Sequence, residues 1–275
     1  MGHVVVGDGA RISFAWDGSE HAPVLVMSNS LGTDLHMWDS QIVDFTKYFR
    51  VLRYDTRGHG QSDAPGGAYS MDRLGRDVVE LLDALDVRTA RFCGLSLGGM
   101  VGQWLAVHAP ERIEQLVLAN TSAYMGPPSN WQARIEGVLA NGVAPLAEAS
   151  LARWFTPEFL EQEPTAVTHV RNMLLANNPI GYSGCCAAIR DMDQRPTSHL
   201  NTLPTLVIAG RFDMATSVAD GAWLSESAAD GQLRVLEAAH LSNVESPQSF
   251  ANEIISFLQP VRGLNNDQAK RLNHL

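Results

Sequence analysis

The sequence has little that would support a disulfide framework, a metal site or a membrane span. Only three cysteines occur in 275 residues, and Cys185 and Cys186 are adjacent, so a reducing compartment is favoured over a disulfide framework. Cysteine and histidine show no spacing typical of a metal site. No apolar run approaches the roughly 18 residues that a membrane span needs, and no signal-peptide pattern opens the chain. These absences predict a cytoplasmic protein with no metal, no signal peptide and no membrane partner.

Positive charge is also scarce. Only two lysines occur, the formal net charge is −10, and no basic run is present. Nucleic acid is therefore not expected as a partner, because phosphate binding needs a clustered positive surface. A chain with 45% hydrophobic and 18% charged residues is an ordinary globular protein, long enough to bury a large core. The composition indicates no particular oligomeric state.

Strand patterns alternate with helix patterns in the first and last parts of the chain. The first part predicts a hairpin at 3–16, strands at 24–28, 49–55, 89–95 and 113–119, and helices at 70–86 and 97–108. The last part predicts strands at 205–210 and 233–237 and helices at 216–228 and 246–259. Such alternation is typical of a mostly parallel sheet with helices on both faces, and we expect eight strands in it.

The alternation is interrupted once. The intervening residues contain helix patterns and several prolines but no convincing strand. We therefore expect an α/β core over 1–121 and 198–275, with a helical cap inserted over 122–197. The polar tail from Val261 onward predicts a short surface helix.

The stretch CGLSLGGM at 93–100 contains the first candidate catalytic residue. Ser96 lies where a predicted strand ends and a helix begins, which is the setting of a nucleophile elbow. Small residues at Gly94 and Gly98 would let the strand and helix pack closely around that turn. The alternative is a glycine-rich turn with an incidental serine.

A serine nucleophile needs a base and a residue that orients the base. Asp213 follows the strand at 205–210, and His240 follows the last strand, so both come in the chain order that this architecture uses. Glu237 is the alternative acid, but it falls within the predicted final strand. Among the other histidines, His59 is expected to have a structural role in a loop, whereas His36 could face the site.

An oxyanion hole needs two backbone donors. The Leu97 N–H follows the serine at a helix N-terminus, where the helix dipole favours negative charge. The Leu31 N–H lies in the loop after the strand at 24–28 and is the expected second donor. Asn29 and Ser30 would brace that loop, or else form an ordinary polar turn.

These motifs resemble those of the α/β-hydrolase family across nearly the whole chain. More narrowly, NSLGTDLHMWDSQ at 29–41 and GLSLGGMVGQWLA at 94–106 resemble the bacterial 3-oxoadipate enol-lactonases. Asn29 and Ser30 replace the His-Gly pair that usually opens the family's oxyanion motif, a departure that the enol-lactonases share. The resemblance implies hydrolysis of 3-oxoadipate enol-lactone in the β-ketoadipate pathway of aromatic catabolism, and it implies no cofactor.

The expected substrate is a small lactone with a free carboxylate, so the site needs a local cation. Trp131 and Arg134 lie three residues apart on one helical face and are the candidate substrate contacts. Alternatively, the tryptophan packs in the cap core and the arginine pairs with an acidic residue. The same triad would serve another small ester or lactone hydrolase, or a carbon–carbon bond hydrolase of ring-cleavage products. A non-catalytic small-molecule receptor is a remote alternative.

Overall fold

The computed structural model describes residues 1–259, whose strands form one eight-stranded sheet. The strands are β1 (Gly2–Val5), β2 (Arg11–Asp17), β3 (Val24–Ser28), β4 (Arg50–Tyr54), β5 (Ala90–Leu95), β6 (Ile113–Ala119), β7 (Pro204–Gly210) and β8 (Asp230–Leu236). Their order across the sheet is β1-β2-β4-β3-β5-β6-β7-β8. Strand β2 pairs antiparallel with both β1 and β4, and all the other neighbouring strands pair in parallel. The prediction of a mostly parallel, eight-stranded sheet is confirmed.

Helices occur between the strands and in one long insertion. They are α1 (Asp39–Phe45), α2 (Met71–Ala84), α3 (Leu97–His108), α4 (Pro128–Asn141), α5 (Ala147–Trp154), α6 (Pro157–Gln162), α7 (Pro164–Ala176), α8 (Pro179–Asp191), α9 (Val218–Ser227), α10 (Ser242–Glu245) and α11 (Pro247–Leu258). We call α4 to α8, which follow β6 and precede β7, the inserted helices. Within the described residues this insertion holds no strand beyond an isolated bridge between Tyr124 and Asp193. The division into a core and a cap over 122–197 stays a prediction.

The central strands contain continuous apolar runs, and helices cover both faces of the sheet. In β3, for example, Leu25, Val26 and Met27 are successive residues that point to opposite faces, and all three are fully buried. Strand β8, at one edge, is largely exposed until its last residue. Continuous apolar runs are the pattern expected of a parallel sheet covered on both faces.

Helix α2 forms for the reasons visible in its sequence. The Ser70 hydroxyl accepts a hydrogen bond from the Arg73 N–H and caps the first turn. Leu74, Val78 and Leu81 are buried at helical spacing against the core. Both ends of α2 therefore lie within two residues of the predicted bounds, 70–86.

Other bounds differ from the prediction. Strand β8 begins at Asp230, three residues earlier than its apolar pattern suggests, because exposed residues extend its pairing with β7. Helices α1 and α10 were not predicted, since each is shorter than two and a half turns. The predicted helix from Val261 onward lies outside the described residues.

No helix within residues 1–259 is long and apolar enough to cross a membrane.

Candidate active site

Ser96 occupies a sharp turn between β5 and α3. Its backbone angles are φ 57° and ψ −114°, in a region that non-glycine residues rarely adopt. The turn is held by the Ser96 N–H, which donates to the Ala119 carbonyl of β6, and by the Thr121 hydroxyl, which donates to the Ser96 carbonyl. Strain of this kind persists only where the surroundings impose it, and it often marks a functional site.

The glycines around Ser96 are required by close backbone approach. A Cβ atom at Gly94 would lie 2.1 Å from the carbonyl oxygen of Gly98, and a Cβ at Gly98 would lie 2.1 Å from that of Ser28. These obstacles are backbone atoms, which cannot rotate away. The two positions therefore exclude any side chain, as predicted for a tight strand-to-helix turn.

The structure joins Ser96, His240 and Asp213 in one chain of hydrogen bonds. Ser96 Oγ is 2.9 Å from His240 Nε2, and His240 Nδ1 is 2.8 Å from Asp213 Oδ2. With the ring hydrogen on Nδ1, His240 donates to the carboxylate and can accept the serine proton at Nε2. All three side chains are buried although 117 residues separate the serine from the aspartate. They meet because each follows the carboxyl end of a parallel strand.

Asp213 is held as a carboxylate. The Ala215 and Thr216 N–H groups donate to Oδ1, and the Thr216 hydroxyl donates to Oδ2. Burial alone would raise the pKa of Asp213, but the charge of His240 and the hydrogen bonds from His240, Asn120 and Thr216 outweigh it and lower the pKa to about 2. The carboxylate therefore stays ionised at neutral pH and favours the Nδ1–H form of His240.

Asn120 also contacts Asp213, although its sequence position alone does not predict this role. Its Nδ2 donates to Asp213 Oδ2 at 3.0 Å and to the Ala239 carbonyl, while its Oδ1 accepts from the Ser242 hydroxyl. The amide thus ties the loop of the acid to the loop of the histidine. Asn120 has a positive φ of 44° directly after β6. A polar residue just after a predicted strand was the available signal.

The two predicted oxyanion donors both have free N–H groups. Within residues 1–259, neither the Leu31 N–H nor the Leu97 N–H donates a hydrogen bond. Leu97 is the first residue of α3, so its N–H has no partner within the helix. Asn29 braces the neighbouring loop: its Nδ2 donates to the Tyr54 carbonyl, and its Oδ1 accepts from Trp38 Nε1.

The competing residues lie elsewhere. Glu237 lies just after β8, rather than within it, and pairs with Arg211 on the surface. His36 does not line the cavity beside Ser96 but pairs with Asp39 at the surface. His59 is buried beneath the loop after β3 and accepts a hydrogen bond from the Gly32 N–H at 2.9 Å, a structural contact.

A cavity of about 250 Å³ opens at Ser96 and His240. Drug-sized ligands occupy pockets of about 300 Å³ or more, so this one suits a smaller molecule. Loop residues from the core form one wall, and the inserted helices form the other. No aspartate or glutamate of the described chain lines the cavity, whereas Arg134 and Arg153 both do. The cavity is therefore locally positive in a chain of formal net charge −10.

Trp131 and Arg134 both line this cavity from α4. The indole Nε1 of Trp131 donates to the Met125 carbonyl at 2.7 Å, which fixes the ring. The Arg134 guanidinium carbon lies 5.0 Å from the centroid of the Trp131 ring, a cation–π arrangement. Its Nη1 is 3.4 Å from the Tyr182 hydroxyl. Among residues 1–259 no acidic group pairs with Arg134, contrary to the alternative that this arginine forms a salt bridge.

Arg153 of α5 also lines the cavity and lacks an acidic partner within the described chain. Burial, together with the nearby charge of Arg134, lowers its pKa below the usual arginine value, although the side chain stays charged. The other three arginines of residues 122–197 each pair with an acidic residue; they are Arg171, Arg190 and Arg195. The local sequence does not distinguish the two arginines that line the cavity from the three that form salt bridges. The difference depends on which face of each helix lies toward Ser96.

Comparison with known proteins places the chain in a class. The family described as alpha/beta hydrolase fold matches residues 23–247. The chain belongs to this family, as its motifs predicted.

Within this family, the chain is similar to proteins named as enol-lactonases. The chain is 46% identical to 3-oxoadipate enol-lactonase 2 of Acinetobacter baylyi over 88% of its length and 91% of the relative's. Among solved structures, the enol-lactonase from Burkholderia xenovorans is 41% identical with a TM-score of 0.92, over 94% of this chain and 99% of that one. A hydrolase from Pseudomonas aeruginosa is 50% identical with a TM-score of 0.92, over 94% and 98% of the two chains. The predicted resemblance to the enol-lactonases and the predicted hydrolase class are confirmed.

Proposed function

We propose that this protein is a serine hydrolase that opens 3-oxoadipate enol-lactone, a small lactone with a free carboxylate, to 3-oxoadipate. One observation carries the proposal: the Ser96–His240–Asp213 hydrogen-bond chain opens into a small cavity lined by two arginines and no described carboxylate. Relatives named as 3-oxoadipate enol-lactonases support the choice of substrate.

In the first half of the reaction, Ser96 is the nucleophile. As Ser96 Oγ bonds to the lactone carbonyl carbon, His240 Nε2 takes the hydroxyl proton and Asp213 stabilises the resulting imidazolium. The carbonyl oxygen becomes an oxyanion. The free N–H groups of Leu31 and Leu97 are our candidates for stabilising it, since pre-oriented backbone donors require no reorganisation when the charge develops.

The ring carbon–oxygen bond then breaks. His240 returns its proton to the leaving enol oxygen, which stays attached to the acyl group because the substrate is cyclic. A water molecule, deprotonated by His240, attacks the acyl-enzyme, and collapse of the second tetrahedral intermediate returns the proton to Ser96 Oγ. The released enol tautomerises to the ketone. Every proton passes through His240 or solvent, so no cofactor is needed.

Selection of the substrate follows from charge. A chain with a formal net charge of −10 repels anions at long range, so a local cation must bind the substrate carboxylate. Arg134, which no described acidic group neutralises, is our candidate, with Trp131 forming an apolar wall against the ring. Arg153 adds a second positive charge to the same cavity. On this proposal the inserted helices act as the helical cap predicted over 122–197.

The proposal also gives the protein a place in metabolism. Its substrate would be a product of aromatic ring cleavage, and the reaction would belong to the β-ketoadipate pathway in the cytoplasm. Another enzyme of that route must supply the enol-lactone, and the free oxo acid passes to the next.

The test is hydrolysis of the enol-lactone by the purified protein and by Ser96→Ala. We expect turnover by the wild type and a loss on the order of 10⁴-fold or more in the variant. Ser183→Ala is the matched control, because the buried Ser183 hydroxyl has no hydrogen-bond partner among the described residues. That control should keep full activity. Retained activity in Ser96→Ala would reject Ser96 as the nucleophile. A wild type that cleaves uncharged esters but does not hydrolyse the enol-lactone would reject the proposed substrate.

A further inference from the structure

The loop after β3, residues 29–34, carries the Leu31 N–H, and its peptide groups are fixed one after another. The first is the peptide between Ser30 and Leu31. Its carbonyl accepts hydrogen bonds from the Thr33 N–H at 3.2 Å and from the Thr33 hydroxyl at 2.9 Å. Because the carbonyl and N–H of a trans peptide point in opposite directions, these bonds also set the direction of the Leu31 N–H.

The next N–H along the loop belongs to Gly32 and is held from the core. It donates to His59 Nε2 at 2.9 Å, which requires Nε2 to carry no hydrogen. The ring hydrogen then lies on Nδ1, 3.3 Å from the Arg57 carbonyl. Burial lowers the pKa of His59 to about 4, so the ring is neutral at neutral pH and Nε2 can accept the Gly32 hydrogen bond.

The carbonyl of Gly32 is held from the opposite side, by the inserted helices. Asn177, which follows α7, donates from Nδ2 to the Gly32 carbonyl at 2.9 Å and is itself buried. Gly32 has a φ of +84°, and a Cβ there would lie 2.8 Å from Leu174 of α7. The loop backbone at Gly32 thus packs directly against side chains of the insertion, which leave no room for a side chain at this position.

We propose that His59 and Asn177 are positioning residues that hold the Leu31 N–H toward the reacting carbonyl by fixing Gly32 from two sides. The inference rests on the proposed function, because it assigns the Leu31 N–H to the oxyanion hole. It gives the insertion a second task beyond lining the cavity: its Asn177 helps to orient the core loop that stabilises the transition state. A change in the insertion can then reduce turnover without touching the substrate.

The first test separates kcat from KM. His59→Leu and Asn177→Leu remove the hydrogen bonds to Gly32 while keeping apolar bulk. We expect kcat to fall about 10- to 100-fold, since a displaced oxyanion donor acts only in the transition state, and KM to change less than about threefold. His59→Gln, which retains an acceptor for the Gly32 N–H, should recover part of the loss. If the leucine variants do not fold, Thr33→Val, which loses one donor to the Ser30 carbonyl, provides the same comparison.

The control is Asn201→Leu. Asn201 is equally buried and is hydrogen-bonded to Thr205 and Leu203, but it forms no hydrogen bond with the loop at 29–34. It should lose stability without losing kcat.

The second test uses an alkylboronic acid, whose boron bonds to Ser96 Oγ and forms a tetrahedral adduct with an oxygen in the oxyanion hole. Its affinity should fall in the variants by the same factor as kcat/KM, whereas the affinity for adipate, an unreactive dicarboxylate, should not change. The positioning role would be overturned by unchanged boronate affinity, or by a kcat loss in Asn201→Leu as large as that in His59→Leu and Asn177→Leu. An inactive wild type would instead overturn the proposed function.

Discussion

Arg134→Met tests whether the cavity recognises a carboxylate. Methionine keeps an unbranched apolar side chain beside Trp131 but removes the guanidinium, which lies 5.0 Å from that ring. No acidic residue within 1–259 pairs with Arg134, so the change leaves no described carboxylate without its partner. The substitution should therefore weaken binding of the ligand more than it lowers the stability of the fold.

The expected magnitude follows from the exposure of Arg134. A hydrogen bond to a charged group contributes about 1.5–3 kcal/mol. Arg134 is only half-buried, so solvent screening favours the lower part of that range, about 1.5–2 kcal/mol. Since about 1.4 kcal/mol is a factor of ten, kcat/KM for the carboxylate lactone should fall about 10- to 30-fold.

The assay compares kcat/KM on two substrates: the carboxylate lactone and its neutral methyl ester. The variant should lose activity on the first and change less than about threefold on the second. Arg171→Met is the matched control, because Arg171 pairs with Glu148 and does not line the cavity. It should behave as wild type. Equal losses on both substrates would refute the reasoning and indicate that Arg134 supports the fold.

Two further predictions concern stability. Gly181→Ala should destabilise the fold by about 2 kcal/mol or more, because its Cβ would lie 2.4 Å from the Gly58 backbone. Gly137→Ala, whose Cβ would have no atom within 4 Å, should stabilise α4 by about 0.5–1 kcal/mol. Urea unfolding measures both changes, and equal effects on the free energy of unfolding would contradict the packing argument. Burial lowers the pKa of His59 from 6.5 to about 4, so on acidification the unfolded chain takes up the His59 proton before the folded chain does. The free energy of unfolding should therefore fall as the pH drops from 6.5 to 4, by up to about 3 kcal/mol. Urea unfolding across this window should find a weaker pH dependence in His59→Gln, and parallel curves would exclude a buried neutral histidine.

Much of the fold could be predicted because its cues are local. Apolar runs mark the central strands, and the Ser70 cap with its following leucines and valine marks α2. Ser96, Asp213 and His240 could also be proposed from sequence, because each follows a predicted strand. In a parallel sheet, the ends of such strands lie along one edge, so succession along the chain implies proximity in space.

The residues around the site could not be found in this way. Arg134 and Arg153 resemble the other arginines of the insertion in sequence, and only the orientation of α4 and α5 separates them from the arginines that form salt bridges. Asn120 and Asn177 read as loop residues until their partners, more than 90 residues away, come into contact with them.

The sequence by itself therefore determined the class of fold, the order of its strands and helices, and the residue types of the proposed chemistry. Only the tertiary structure decided which charges face the cavity and which side chains hold Asp213 and Gly32. The physical reason is one of range. Strand and helix patterns arise from neighbours a few residues apart, whereas these contacts depend on how an insertion of five helices packs against loops from distant parts of the chain.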